Sequence, residues 1–167
     1  MSRFLPDMYR KDVYSINYKK LKEKGIKALL FDFDNTITEK GSIEVSNNLK
    51  KLFATLKKDF TVYIVSNSIN SKKLNIICSK LDIPYIGNSA KPFKRGYKKL
   101  KLNLTNNEIA MIGDQLITDV WGANRMGYFS ILIDPISEKE WIITKFNRLL
   151  ENTIFKRINK KRGSYYD

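Results

Sequence analysis

The 167-residue chain has no histidine, a single cysteine and only 17 acidic residues against 31 lysines and arginines. Without histidine it cannot run a Ser-His-Asp triad or a phosphohistidine route, and it cannot build a His-ligated zinc site. Cys78 cannot form an intramolecular disulfide, and Pro84 stands six positions on, where a cysteine-phosphatase loop needs arginine. It falls in an apolar-periodic stretch with Leu74, Ile77 and Leu81, which predicts a buried helix face rather than a reactive thiol. No run reaches the roughly 18 apolar residues of a spanning helix, and residues 1–7 carry no apolar signal region. The chain is therefore expected to be cytoplasmic or peripheral on the inner face of a membrane. Acid and base chemistry falls to carboxylates and lysines.

The excess of base gives a net charge of +14, which attracts polyanions. Residues 91–101 carry Lys91, Lys94, Arg95, Lys98, Lys99 and Lys101 without an acid, and residues 156–162 carry Lys156, Arg157, Lys160, Lys161 and Arg162. Solvated helix faces account for such clusters as readily as contacts with nucleic acid, anionic lipid or a phosphorylated substrate. At this length one domain is expected, burying roughly two-thirds of the surface of the unfolded chain. No repeat, low-complexity tract or linker divides it.

The most informative segment is Leu29-Leu30-Phe31-Asp32-Phe33-Asp34-Asn35-Thr36-Ile37-Thr38, an apolar run ending in two carboxylates one residue apart. If the strand continues through the pair, Asp32 and Asp34 face one side. Their mutual repulsion calls for a cation or a shared proton, and an oxygen-preferring divalent ion, Mg2+ first among them, would supply it.

Apolar, β-branched runs predict strands near 27–33, 60–65, 84–87, 109–112 and 129–133. Between them, 45–58 places Leu49, Leu52, Phe53 and Leu56 on one helical face, and 71–81 forms a second helix capped by Asn70 or Ser71. Alternation of strand and helix predicts a parallel sheet covered on both faces, a Rossmann-like three-layer α/β/α sandwich, with ligands beyond the carboxyl ends of the strands. Asp32 and Asp34, Ser66 and Asn67, Lys91, and Gly113-Asp114 all fall at or near such ends.

Asp32-x-Asp34-x-Thr36, Ser66 after an apolar strand, Lys91, and Gly113-Asp114 followed by Asp119 resemble, in order and spacing, the four motifs of the haloacid dehalogenase (HAD) phosphatase superfamily. The resemblance covers about residues 26–135. Leu5-Pro6, Ser15-Ile16, Gly25-Ile26-Lys27, Asp34-Asn35-Thr36, Ala90-Lys91-Pro92 and the 113–120 segment look like the YqeG-type subclass IIIA phosphatases, relatives of the phosphatidylglycerophosphate phosphatases. The resemblance implies Asp32 as the nucleophile that forms an aspartyl phosphate and Asp34 as the general acid and base. Superfamily members with threonine at the second position are transport ATPases. It implies Mg2+ held by Asp32, the backbone carbonyl of Asp34, and Asp114. Ser66 and Asn67 would meet the phosphoryl oxygens, Lys91 would balance their charge, and Asp119 would orient the metal shell or pair with Lys91. Thr36 and Gly113 complete the motifs as supporting residues.

Many members of that superfamily carry a cap domain. Here only 32 positions separate Asp34 from Ser66 and 25 separate Ser66 from Lys91, which leaves no room for one. An open site suits a phosphate on a large partner: a lipid headgroup, a protein or a nucleic-acid end. A single domain over 1–167 is expected, with a basic, aromatic, helical segment at 1–25 and basic amphipathic helices over 137–162. In the last, Ile142, Phe146, Leu149, Leu150, Phe155 and Ile158 share a side, so the segment either covers the sheet or lies on anionic lipid together with Phe4, Tyr9, Tyr14 and Tyr18. The expected activity is Mg2+-dependent phosphomonoester hydrolysis, with phosphatidylglycerophosphate the preferred substrate and nucleotides, nucleic-acid ends or phosphoproteins the alternatives. A non-enzymatic alternative is a basic RNA- or ribosome-binding module with a vestigial site, suggested by Phe93-Lys94-Arg95-Gly96-Tyr97-Lys98-Lys99.

Overall fold

A computed structural model describes residues 2–137. The expected basic amphipathic helices after residue 137, with the 156–162 cluster, lie outside the described residues. Six strands form one sheet: β1 (Met8–Arg10), β2 (Ala28–Phe31), β3 (Thr61–Val65), β4 (Tyr85–Ile86), β5 (Ile109–Gly113) and β6 (Phe129–Ile133). Their order is β1-β6-β5-β2-β3-β4 and every pairing is parallel.

Alternation along the central strands divides the core in two. Leu29 and Phe31 of β2, Val62 and Ile64 of β3, and Ala110 and Ile112 of β5 pack into one cluster. Ala28 and Leu30, Val65, and Ile109 and Met111 pack into the other. Helices α1 (Tyr18–Glu23), α2 (Asn47–Asp59) and α3 (Ser71–Leu81) cover the first face through Leu21, Leu49, Phe53, Leu56, Leu74 and Ile77. The short helices α4 (Lys94–Tyr97) and α5 (Gly122–Met126) cover the second through Tyr97 and Ala123. Both faces are thus buried, as a parallel sheet requires.

Asn70 is the cap of α3, its side chain accepting from the backbone N–H of Lys73 at 3.1 Å. Cys78 lies on the buried side of that helix, and burial pushes its thiol up to about 12, so it behaves as core.

The N-terminal segment departs from expectation. Instead of being helical throughout, it adds β1 to the sheet edge, Tyr9 opposite Leu132 on β6. Three residues are too few to show a period of two, so the sequence carries no pattern for this strand. Its aromatics are largely packed: Phe4 lies 5.4 Å from the Trp121 ring, Tyr9 is buried, and the Tyr18 hydroxyl donates to the Val13 carbonyl at 2.7 Å. Of the four, Tyr14 is exposed, Phe4 and Tyr18 are half-buried and Tyr9 is buried, so the segment is in large part packed against the domain.

The strand order reverses at β2: the chain passes from β2 to β3 and β4 on one side, then returns to β5 on the other. The crevice at that reversal, beyond the carboxyl ends, is where ligands bind in such sheets.

Candidate active site

The strand reversal brings four connections together. β2 ends at Phe31, and the Asp32 amide still donates to the Ile112 carbonyl at 2.8 Å, so Asp32 is fixed against the adjacent strand end. Lys91 reaches the same point from the connection after β4. Its ammonium group donates to Asp32 Oδ1 at 2.6 Å and to Asp119 Oδ1 at 2.7 Å, with all three side chains almost fully buried. Burial alone would push the Lys91 ammonium down, but Asp119 and Asp32 outweigh it and hold the group well above its ordinary range. Lys91 is therefore charged.

Asp119 sits in the wide π-helical turn Leu116–Trp121 that follows β5. Its second oxygen accepts from the Gln115 amide at 3.1 Å, tying the 113–115 turn to the lysine. Of the two roles expected for it, the pairing with Lys91 is present. Space for it exists because residue 113 is glycine: a Cβ there would run into the Asp119 carboxyl group. Gly113→Ala is expected to destabilise the fold by about 1–3 kcal/mol, as overpacking does, and to depress turnover; thermal melts and activity assays of that variant test it.

Asn67 has its side chain engaged in the same framework. Its carbonyl oxygen accepts from the Lys91 amide at 2.7 Å and from the Ser89 hydroxyl at 2.8 Å, while its amide nitrogen donates to the Lys91 carbonyl at 2.9 Å. Its side chain positions the lysine connection rather than reaching toward a phosphoryl group. Ser66, buried at the end of β3, accepts from the Ser68 amide at 3.0 Å and retains its own proton to donate.

Asp114 completes an acidic cluster. Oxygens of Asp32, Asp114 and Asp119 all lie within 4.8 Å of one another. Lys91 bonds to two of the three carboxylates, and once all three are ionised their charge exceeds that of the lysine by two. An all-oxygen donor set with that excess fits Mg2+. Burial, with Asp119 and Asp32 adding to it, pushes Asp114 up to about 8, and Thr36 gives it only a long hydrogen bond of 3.4 Å. Because its folded value exceeds the ordinary 3.8, the stability tied to Asp114 is present below that value and is lost as pH rises through about 8. Mg2+ is expected to raise the melting temperature more at pH 8 than at pH 5, since protons compete for the same oxygens. Melting curves with and without Mg2+ at the two pH values check this.

Asp34 does not share this cluster through its side chain. β2 stops before it, and its carboxylate turns to Lys73 on α3, Oδ1 accepting from the ammonium group at 2.7 Å. The expectation that the Asp32 and Asp34 carboxylates face one side is therefore corrected: Asp34 pairs with Lys73, whereas Asp32 shares Lys91 with Asp119, the third carboxylate at the cluster. Lys73 is the site residue that sequence reasoning missed. The signal was its place on the apolar stripe of α3, immediately before Leu74, where a lysine on the buried side needs a partner.

The segment 93–99 does not form a stacking platform. Phe93 is 60% exposed, but Tyr97, at the end of α4, is buried on the sheet side, edge-on to Tyr128. This removes half of the aromatic surface on which the RNA-binding alternative rested.

A family model described as mitochondrial PGP phosphatase matches residues 1–137. The chain belongs to this family. It is a HAD phosphatase, a phosphoric monoester hydrolase. The chain is 35% identical to a Bacillus subtilis protein named probable phosphatase YqeG, over 95% of this chain and 93% of the relative. It is 28% identical to phosphatidylglycerophosphate phosphatase 1, chloroplastic/mitochondrial, from Arabidopsis thaliana, over 94% of this chain and 49% of that protein, so it spans about half of the plant protein's length. A solved HAD phosphatase from Thermococcus onnurineus superimposes with a TM-score of 0.55 at 15% identity, covering 75% of this chain and 98% of that one, which establishes the shared fold. The described residues of this PGP phosphatase family member contain no inserted cap domain, as the motif spacing implied.

Proposed function

We propose that the chain hydrolyses a phosphomonoester carried on a lipid headgroup, with phosphatidylglycerophosphate the first candidate, through an aspartyl phosphate on Asp32. The observation that carries the chemistry is the Asp32–Lys91–Asp119 triad beside Asp114 at the sheet's point of reversal. Asp32 attacks phosphorus while the ester P–O bond breaks, and Asp34 gives its proton to the departing alcohol. Asp34 then removes a proton from the water that attacks the aspartyl phosphate, releasing inorganic phosphate and regenerating Asp32. Asp32, Asp114 and the backbone carbonyl of Asp34 would hold Mg2+, which supplies charge neutralisation for the transferring oxygens. Lys91, pinned by Asn67 and Asp119, presents its charge to the same oxygens without reorganising. Ser66 donates to one of them.

The substrate class is supported by the surroundings of the site. Ile69, three residues after Ser66, is 84% exposed, and Phe93, two residues after Lys91, is 60% exposed. Lys94 and Arg95 follow Phe93, and the Arg125 guanidinium lies 5.9 Å from its ring centroid. Exposed apolar tips among basic side chains, on a chain of net charge +14, suit an anionic bilayer surface. No helix among the described residues is long and apolar enough to cross a membrane.

A panel of phosphatidylglycerophosphate in anionic vesicles, nucleotides, 5′- and 3′-phosphorylated oligonucleotides and phosphopeptides, each with Mg2+, tests this reading. Turnover is expected to be fastest on the vesicles. Turnover of oligonucleotides or phosphopeptides without turnover of lipid would reject the lipid substrate while leaving the chemistry in place.

A further inference from the structure

The geometry points to Lys73 as a positioning residue that orients the Asp34 carboxylate so that its Oδ2 oxygen carries the proton to the leaving alcohol. This inference rests on the proposed acid and base role of Asp34. Three observations converge on it. Lys73 is buried on the sheet side of α3, a place where an ammonium group is costly without a partner. Its charge goes to Asp34 Oδ1 at 2.7 Å and lies 4.7 Å from the centroid of the Phe33 ring, the residue between the two aspartates. Its backbone is fixed as well, since the Lys73 N–H donates to the Asn70 cap at 3.1 Å.

Oδ1 is thus occupied by a donor held from two directions, and Oδ2 is the oxygen left for the proton. An acid for ester cleavage works only within hydrogen-bond reach of the leaving oxygen. A carboxylate on a connection beyond the end of its strand would otherwise sample several rotamers, and the lysine selects one. The contact lies outside the Lys91 cluster, so it affects proton delivery without touching the balance of charge at Asp32.

The test is dependence on the leaving group. Esters of p-nitrophenol release a stable anion and need little protonation, whereas alkyl phosphates depend on the acid. Lys73→Met is expected to lower kcat/KM for an alkyl phosphomonoester roughly tenfold more than for p-nitrophenyl phosphate. Equal losses on both esters would show a merely structural role and overturn the inference, as would no loss on either. The double variant Lys73→Met/Asp34→Asn, compared with Asp34→Asn alone, keeps the question open to disproof if the single variant does not fold, because it leaves no unpaired buried charge. Adding the lysine change there is expected to alter alkyl-phosphate turnover by less than about twofold, and a further tenfold loss would show that Lys73 acts independently of Asp34. Activity that persists in Asp32→Asn would instead overturn the underlying mechanism, so the two failures are distinguishable.

Discussion

Asp32→Asn is expected to fold as the parent does and to lose phosphatase activity by at least about 10⁴-fold, the scale seen when a covalent nucleophile is removed. The amide has the shape of the carboxylate but cannot attack phosphorus. Folding is expected to survive because Asp32 shares its lysine with Asp119, and the remaining pair is still charge-matched. Burial raises Asp32 to about 6 against the opposing pull of Lys91, so its ionised form is held at some cost. Removing that charge relieves the crowding at Asp114 and leaves the melting temperature equal or higher without Mg2+. The gain in melting temperature on adding Mg2+ is expected to shrink, since one carboxylate of the cluster is gone. Parallel turnover assays and melting curves check both halves.

Lys91→Met is expected to damage stability and activity together. The lysine separates two carboxylates that are almost completely buried, with Asp114 close to both. Breaking a buried pair by removing one partner costs about 3–5 kcal/mol, because the remaining charges are left uncompensated. For a domain of this size that corresponds to a fall of roughly 6–20 °C in melting temperature. Turnover is expected to fall by about 10²–10³-fold, as it does when a preorganised electrostatic group is lost. Lowering the pH should recover part of the stability by protonating the carboxylates, whereas wild type has no such debt to relieve at Lys91. A melting temperature within about 2 °C of wild type, less than the shift expected of 1 kcal/mol in a domain this size, would show that the triad is not what holds these connections together.

These effects concentrate at residues whose roles are legible in the amino-acid sequence, and there is a physical reason. Strands β2 and β5 are buried at every position and β3 and β6 at most of theirs, so each is a largely apolar run that stands out from the lysine-rich background. The polar residues that end those runs must then lie at one edge of the sheet. Motif spacing added Lys91 and Asp119, which no strand pattern would have paired. What escaped was carried by side-chain direction and short elements. β1 is only three residues long, too short for alternation to be visible. The turn of Asp34 toward Lys73 depends on where β2 stops, a matter of one or two residues at the boundary. That the Asn67 side chain is tied to Lys91 rests on hydrogen bonds across 24 residues, which no local pattern shows. Tyr97 looked accessible among lysines and is instead on the buried side of α4, where Gly96 lets the helix approach the Ser89 backbone.

Trapping the covalent intermediate tests the proposed chemistry most directly. With Mg2+ and phosphatidylglycerophosphate in anionic vesicles, rapid quenching followed by borohydride reduction and peptide mass spectrometry should mark the acyl phosphate at residue 32. The mark should depend on substrate and be absent from Asp32→Asn. Turnover that proceeds with no mark at residue 32, or with a mark at another residue, would contradict Asp32 as the nucleophile.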